Sequence, residues 1–327
     1  MGKPKVFITR EIPEHLLKPY RQDLEISSWN EALVPVPRER LLQEVEKSDG
    51  ILTMLSDAVD RPLVTHAKQL KIVANLAVGY DNIDIAACTE KGIHVTNTPD
   101  VLTDTTADLA MALVLTTARR VVEAAEFIKK GEWKEWGPFL LAGTDVHHKT
   151  IGIVGMGRIG TAVAKRAKGF EMNILYHNRS RNVQAETELG AKYVSFETLL
   201  QEADFVVDLL PLTEETRHVF NEKTFRLMKN EAIFVNVGRG KSVDEKALYQ
   251  AVKTGEIAGC GLDVFAEEPI GKDHPLLELP QVVCLPHIGS ASTETRSAMV
   301  KLALENLHAV LVRGQKPLTP VNELIIR

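Results

Sequence analysis

Short apolar runs alternate with helix-length segments along almost the whole chain, and this alternation restricts the fold more than any other feature. The first series of runs covers residues 5–9, 24–29, 51–55, 72–76 and 93–96, with helical patterns over 13–20 and 38–47. A second series begins after Lys149, at 150–154, 173–177, 205–210, 232–237, 259–264 and 282–285. Strands separated by helices pair in parallel through crossovers, so each series predicts a doubly wound parallel sheet, the second one with six strands. Between the series stand two apolar helices, 103–119 and 121–130, and a Trp-rich connection at 133–143. One more long helix is predicted at 293–313. Pro99 disfavours helix at the residue before it and marks the boundary ahead of the first apolar helix.

Two sheets require two cores, and 327 residues are too many for one ordinary core. The expected division is a doubly wound domain of the Rossmann type at 101–290 and a flavodoxin-like domain at 1–100 and 291–327, with a ligand cleft between them. Charged residues make up 25% of the chain and the net charge is −5, with basic residues dispersed rather than striped, so no nucleic-acid partner is expected. The apolar run at 6–8 is too short for a signal peptide, and no 18-residue apolar window follows, so no membrane association is expected. Cys88, Cys260 and Cys284 are odd in number and lack metal or redox spacing. They read as buried thiols of a cytoplasmic protein. No histidine spacing suggests a metal site; apart from His287, the histidines, including the His147-His148 pair, are expected on loops or surfaces.

The second series opens on TIGIV followed by Gly155-Met156-Gly157-Arg158-Ile159-Gly160 and the helical TAVAKRAKGF. Gly155 permits a tight turn, Gly157 lets a pyrophosphate approach the backbone, and Gly160 lets the helix pack on the strand. The pyrophosphate then meets free amides at a helix N-terminus. The competing reading is a glycine-rich turn without a ligand. About 20 residues on, an Asp or Glu ordinarily accepts the ribose 2′-hydroxyl. This chain has Asn178-Arg179-Ser180-Arg181 there. Two guanidiniums and no carboxylate suit the 2′-phosphate of NADP(H), with NAD(H) as the second choice; the bland reading is a solvated basic loop.

Three further residues stand near the ends of predicted strands. Arg239 lies in a glycine-flanked turn and can hold a carboxylate through two parallel hydrogen bonds. His287 follows Pro286 and can supply a proton near neutral pH. Glu268 can accept a hydrogen bond from the other ring nitrogen, orienting the ring and stabilising its charged form. A cation, an acid and its orienter are what the reduction of a 2-keto acid requires of a protein. Singly, each residue also has an ordinary structural reading as a helix cap, a surface charge or a structural histidine.

The segments VGMGRIG, ADFVVDLLPLTEETRHVFN, MKNEAIFVNVGRGKSVDEKAL, GLDVFAEEP and LPHIGSAS occur in that order. Together they resemble the D-2-hydroxyacid dehydrogenases over essentially the whole chain. LSDAVD, NLAVGYDNID and EWGPFLLAGTD are similar to the glyoxylate/hydroxypyruvate reductase branch. The resemblance implies reduction of glyoxylate to glycolate and of hydroxypyruvate to D-glycerate by hydride from NAD(P)H. A 2-ketogluconate reductase is the alternative within the family, and a dinucleotide-sensing corepressor the alternative outside enzymology. It implies Arg239, Glu268 and His287 as the catalytic group. It also implies that the backbone of Val78 and Gly79 holds the substrate carboxylate, with Leu55 and Ser290 nearby. Arg158, Ile159, Thr106, Pro211, Thr216, Val237, Gly238 and Gly289 would line the cofactor, and Asp263 would orient the nicotinamide carboxamide. Trp136 would reach into the pocket of the second subunit of a homodimer, or else be a core aromatic.

Overall fold

The computed structural model describes residues 2–324. The chain forms two compact units, one made of the described residues up to Leu102 together with those from Ser292 onward, the other of Thr103–Ala291.

In the first unit β1 (Lys5–Ile8), α1 (Glu14–Leu17), β2 (Glu25–Ser28), α2 (Arg38–Lys47), β3 (Gly50–Thr53), α3 (Arg61–His66), β4 (Ile72–Asn75), α4 (Ile85–Glu90) and β5 (His94–Thr96) alternate strictly. The strands lie in the order β2-β1-β3-β4-β5, all parallel. This is the flavodoxin-like arrangement expected from the alternation. Every residue of β3 and β4 is buried, as in sheets covered on both faces. Asp60 and Asp84 start α3 and α4 by accepting the Leu63 and Ala87 amides, which otherwise lack helical partners.

The second unit contains α5 (Thr103–Ala118), α6 (Val121–Lys129), β6 (Thr150–Val154), α7 (Arg158–Gly169), β7 (Asn173–His177), α8 (Val183–Leu189), β8 (Lys192–Tyr193), α9 (Phe196–Glu202), β9 (Phe205–Asp208), α10 (Glu222–Phe225), β10 (Ile233–Asn236), α11 (Glu245–Lys253), β11 (Gly259–Leu262) and β12 (Val282–Cys284). The order β12-β11-β10-β9-β6-β7-β8 places the chain reversal between β6 and β9. Ligands of open α/β sheets bind at such a switch point, outside the carboxyl ends of the strands. Finally, α12 (Thr293–Leu311), capped by Ser292, belongs to the first unit, where Leu307 packs on Gly50.

Two cores flank the second sheet. Ala107, Ala110 and Val114 of α5 join Val163 and Ala164 of α7 on one, while Leu199, Phe225, Phe234 and Leu248 fill the other. Gly261 of β11 lets α5 come close, since a β-carbon there would stand 3.2 Å from that of Leu113.

Two expectations need correction. This sheet has seven strands rather than six, because β8 is two exposed residues at an edge, too short for a periodic signal. The apolar helix α6 buries none of its residues against this chain, and the histidines are not all on loops or surfaces. His94, His177 and His308 are half-buried inside β5, β7 and α12, whereas His147 and His148 are exposed as expected. The cysteines are free; Cys88 and Cys260 are buried, and burial pushes the Cys88 thiol up to about 12.

Candidate active site

The glycine turn joins β6 to α7. Gly155 adopts φ +103°, a conformation that side chains rarely tolerate. A β-carbon on Gly160 would come within 2.2 Å of the Gly155 carbonyl, so only glycine lets the helix start there. Gly157 has open space where its side chain would be, and no side chain caps the first turn of α7. These amides and this cleared surface fit a pyrophosphate.

The basic segment after β7 is tied to this turn. Asn182 Nδ2 donates to the Met156 carbonyl at 3.2 Å and to Thr161 Oγ1 at 3.3 Å, while its Oδ1 caps α8. Arg179 and Ser180 are exposed, and the Asn178 carbonyl accepts the Tyr193 hydroxyl at 3.2 Å. Arg181 is engaged by Glu186, with Nε to Oε1 at 3.0 Å, and the Tyr176 hydroxyl donates to the same carboxylate. Glu186 lies on the following helix, beyond the strand end where a ribose-binding carboxylate is expected. Glu215 also has its carboxyl held below the usual range, first by the Thr213 side chain and, less strongly, by the charge of Arg179.

Arg239, Glu268 and His287 follow β10, β11 and β12, which are consecutive neighbours in the sheet. After β10, Asn236 folds the chain back by accepting the Gly238 amide at 2.9 Å and donating to the Arg239 carbonyl at 3.0 Å. A β-carbon on Gly240 would overlap the Phe265 carbonyl carbon at 1.8 Å, so the Arg239 turn lies directly against the segment that leads to Glu268. Glu268 Oε1 accepts the Phe265 amide at 2.9 Å, and Oε2 lies 2.7 Å from His287 Nδ1. Burial pushes the Glu268 carboxyl up, but the His287 hydrogen bond and charge, the Phe265 amide and the Arg239 charge together hold it below the usual carboxylate range.

His287 itself adopts φ +53°, an uncommon backbone state for a residue with a side chain. Asp263 stabilises it: its carbonyl accepts the His287 amide at 3.0 Å, and its carboxylate accepts the Ile288 and Gly289 amides, each at 2.7 Å. Burial raises the Asp263 carboxyl above its ordinary value despite these bonds. Gly289 fits between Asp263 and Thr106, whose Oδ2 and Cγ2 lie 3.2 and 3.4 Å from where its β-carbon would be.

The remaining expected positions lie on turns of the two units. Thr216 closes the loop after β9 through the Pro211 carbonyl at 2.7 Å, and Gly238 abuts the Leu210 backbone. Val237 is buried; Arg158 is exposed, and Ile159 and Ser290 are half-buried. In the first unit, Leu55 follows β3, while Asn97 and Asn75 hold the carbonyls of Val78 and Gly79 at 2.8 and 2.9 Å. Trp136 is 77% exposed, which overturns its alternative reading as a core aromatic. Two residues that the motifs did not mark, Asp208 and Ser242, are wholly buried beneath the Arg239 turn and hydrogen-bonded to each other. The visible signal was a carboxylate closing an otherwise apolar strand. Among the described residues no cluster could hold a metal ion, and no helix is long and apolar enough to cross a membrane.

The profile of the D-isomer specific 2-hydroxyacid dehydrogenase NAD-binding domain matches residues 111–289. The glyoxylate reductase of Pyrococcus horikoshii is 53% identical, over 99% of this chain and 98% of that one. A Thermus thermophilus protein of known crystal structure is 44% identical and superposes with a TM-score of 0.91, covering 97% of this chain and all of the other. The NADPH-dependent glyoxylate/hydroxypyruvate reductase of Sinorhizobium meliloti, solved with NADP and malonate, is 35% identical with a TM-score of 0.85, over 98% and 97% of the two chains. A full-length match at this identity, on a parallel sheet whose glycine turn fits a pyrophosphate, places the chain among the D-isomer specific 2-hydroxyacid dehydrogenases, enzymes that use a nicotinamide dinucleotide.

Proposed function

We propose that the protein is a glyoxylate and hydroxypyruvate reductase that takes its hydride from NADPH in preference to NADH. The observation that carries the reaction type is the 2.7 Å contact of His287 with Glu268, beside the Arg239 turn and on adjacent strand ends. Arg239 holds the carboxylate of the keto acid through paired hydrogen bonds and turns its carbonyl toward His287. Glu268 keeps Nδ1 of the ring protonated and leaves Nε2 to face the substrate oxygen. A reduced nicotinamide held at the glycine turn would supply the hydride for the carbonyl carbon. His287 gives its Nε2 proton to the oxygen, so that one hydride and one proton convert the ketone to a hydroxyl. The neutral imidazole then regains a proton from solvent, and the ionised Glu268 stabilises the recharged ring.

NADPH preference is supported by the exposed Arg179 and Ser180 beside Asn178, where no carboxylate occupies the ribose position. Arg181 contributes less, since Glu186 already holds it. A homodimer is supported by the exposed Val121, Val122 and Ile128 of α6 and by Trp133, Trp136, Phe139 and Leu140 of the arm, apolar surface that a monomer would leave in water. Free, high-pKa thiols are consistent with the cytoplasm.

The test is a steady-state panel of glyoxylate, hydroxypyruvate, pyruvate and 2-ketogluconate with each cofactor. The highest kcat/KM is expected for glyoxylate or hydroxypyruvate with NADPH. A dominant activity on 2-ketogluconate would replace the substrate assignment, and binding of cofactor without turnover of any keto acid would replace the enzyme by a sensor.

A further inference from the structure

Asp208 closes β9 with none of its surface exposed. In register beside it stand Val154 of β6 and Asn236 of β10, neither of them titratable, and no charged side chain contributes to its proton affinity. Its Oδ1 accepts the Leu210 amide at 3.0 Å, and its Oδ2 is hydrogen-bonded to Ser242 Oγ. The same Ser242 oxygen lies 2.6 Å from the Arg239 carbonyl oxygen. A serine hydroxyl carries one proton, yet it faces two oxygens at hydrogen-bond distance. If Asp208 were ionised, one of these contacts would press two oxygens together with no proton between them. If Asp208 is neutral, every contact is satisfied: its O–H donates to Ser242, and Ser242 donates to the Arg239 carbonyl.

We propose that Asp208 is a positioning residue, a neutral carboxylic acid that acts through Ser242 to fix the backbone of the Arg239 turn and thereby aim the guanidinium at the substrate carboxylate. The proposal rests on the reading of Arg239 as the carboxylate clamp. Burial pushes the Asp208 carboxyl up to about 7, against the opposing effects of Ser242 and the Leu210 amide. Above neutrality the ionised Asp208 accepts the Ser242 hydroxyl's hydrogen bond, the Arg239 carbonyl loses that donor, and the turn at 238–240 loosens. Keto-acid affinity therefore weakens with rising pH, while the phosphate turn between β6 and α7, on other strand ends, keeps its hold on the dinucleotide.

The experiment uses the full-length enzyme and its variants Asp208→Asn, Asp208→Ala and Ser242→Ala. An asparagine amide donates to Ser242 at every pH, and its oxygen still accepts from Leu210. Glyoxylate KM and kcat, and NADPH Kd by fluorescence, are measured from about pH 6 to about pH 8.5. The native KM should rise over this range by roughly threefold more than that of Asp208→Asn, the worth of about one hydrogen bond. Ser242→Ala should raise KM at every pH, with kcat changed less and NADPH Kd unchanged; Asp208→Ala, which also frees the Leu210 amide, should raise KM at every pH by at least as much. In the native enzyme, infrared difference spectra between the two pH limits should contain a carboxylic-acid carbonyl band that Asp208→Asn lacks.

Superimposable KM profiles for the native and Asp208→Asn enzymes, or absence of that band, would overturn the proposal while leaving the clamp intact. Should the Asn variant fail to fold, loss of the band in Asp208→Ala and the Ser242→Ala KM decide the matter. Arg239→Lys serves as the control: if it leaves KM within about twofold and kcat unchanged, the clamp reading fails and this proposal fails with it.

Discussion

His287 Nδ1 and Glu268 Oε2 lie 2.7 Å apart, and the Phe265 amide fixes the other Glu268 oxygen at 2.9 Å, so the ring is oriented by a carboxylate that is itself anchored to the backbone. Replacing His287 by Asn keeps the volume and removes the proton donor. We expect kcat to fall by roughly 10²- to 10⁴-fold with NADPH Kd nearly unchanged. An unaltered kcat would exclude His287 as the acid.

The same pair predicts a pH dependence. Because the Glu268 carboxyl is held below the usual range, it is ionised throughout the neutral region. Its pairing stabilises the fold above the ordinary carboxylate pKa and is lost as pH falls through the depressed value. Reductive activity should decline on that same acidic limb. In Glu268→Gln the acidic limb should vanish, since the amide does not titrate. Profiles of kcat/KM for both enzymes check this; an acidic limb that persists unchanged in Glu268→Gln would remove Glu268 as its source.

Arg239→Lys keeps the charge but loses the fork that matches a carboxylate. KM for glyoxylate should rise by at least about tenfold, since paired charge-assisted bonds are the strong ones. NADPH binding should hold, because the phosphate turn lies on other strands. A KM within about twofold of native, with kcat retained, would move the carboxylate site elsewhere.

Trp136 and Phe139 are 77% and 85% exposed, large apolar surface for one chain to present to water. Light scattering at micromolar concentration should show a dimer. Trp136→Ala should alter the ranking of keto acids by size more than it alters cofactor affinity. A monomeric native protein, or a variant with an unchanged substrate ranking, would contradict the arm's assignment to a partner's pocket.

NADPH should exceed NADH in kcat/KM by roughly 10- to 100-fold, since charge-assisted bonds contribute about 1.5 to 3 kcal/mol each before screening. Asn178→Asp with Arg179→Ala places a carboxylate at the 2′ position and removes the counter-charge. The preference should then move toward NADH, and high salt should narrow the native ratio. A native enzyme that prefers NADH would show that the segment is a solvated loop.

The elements themselves were readable locally. The apolar runs of β3, β4, β9 and β10 and the glycines of the β6–α7 turn depend on neighbours within a few residues, so periodicity and turn chemistry announce them. Arg239, Glu268 and His287 could be named because each residue type suits its chemical task and each follows a strand. What joins them depends on packing. Glu268 meets His287 across 19 positions, Ser242 meets Asp208 across 34, and Glu186 reaches Arg181 from the next helix. Strand order decides the first two meetings, and local pattern does not encode strand order; the third depends on how the turn after β7 enters α8. The left-handed backbone of His287 is tolerated because the Asp263 carbonyl and carboxylate, from another strand end, bind His287 and the two amides that follow it. The Asp208 carboxyl is raised for the same reason: burial in the sheet removes the water that would have stabilised its charge, and only the folded chain buries it.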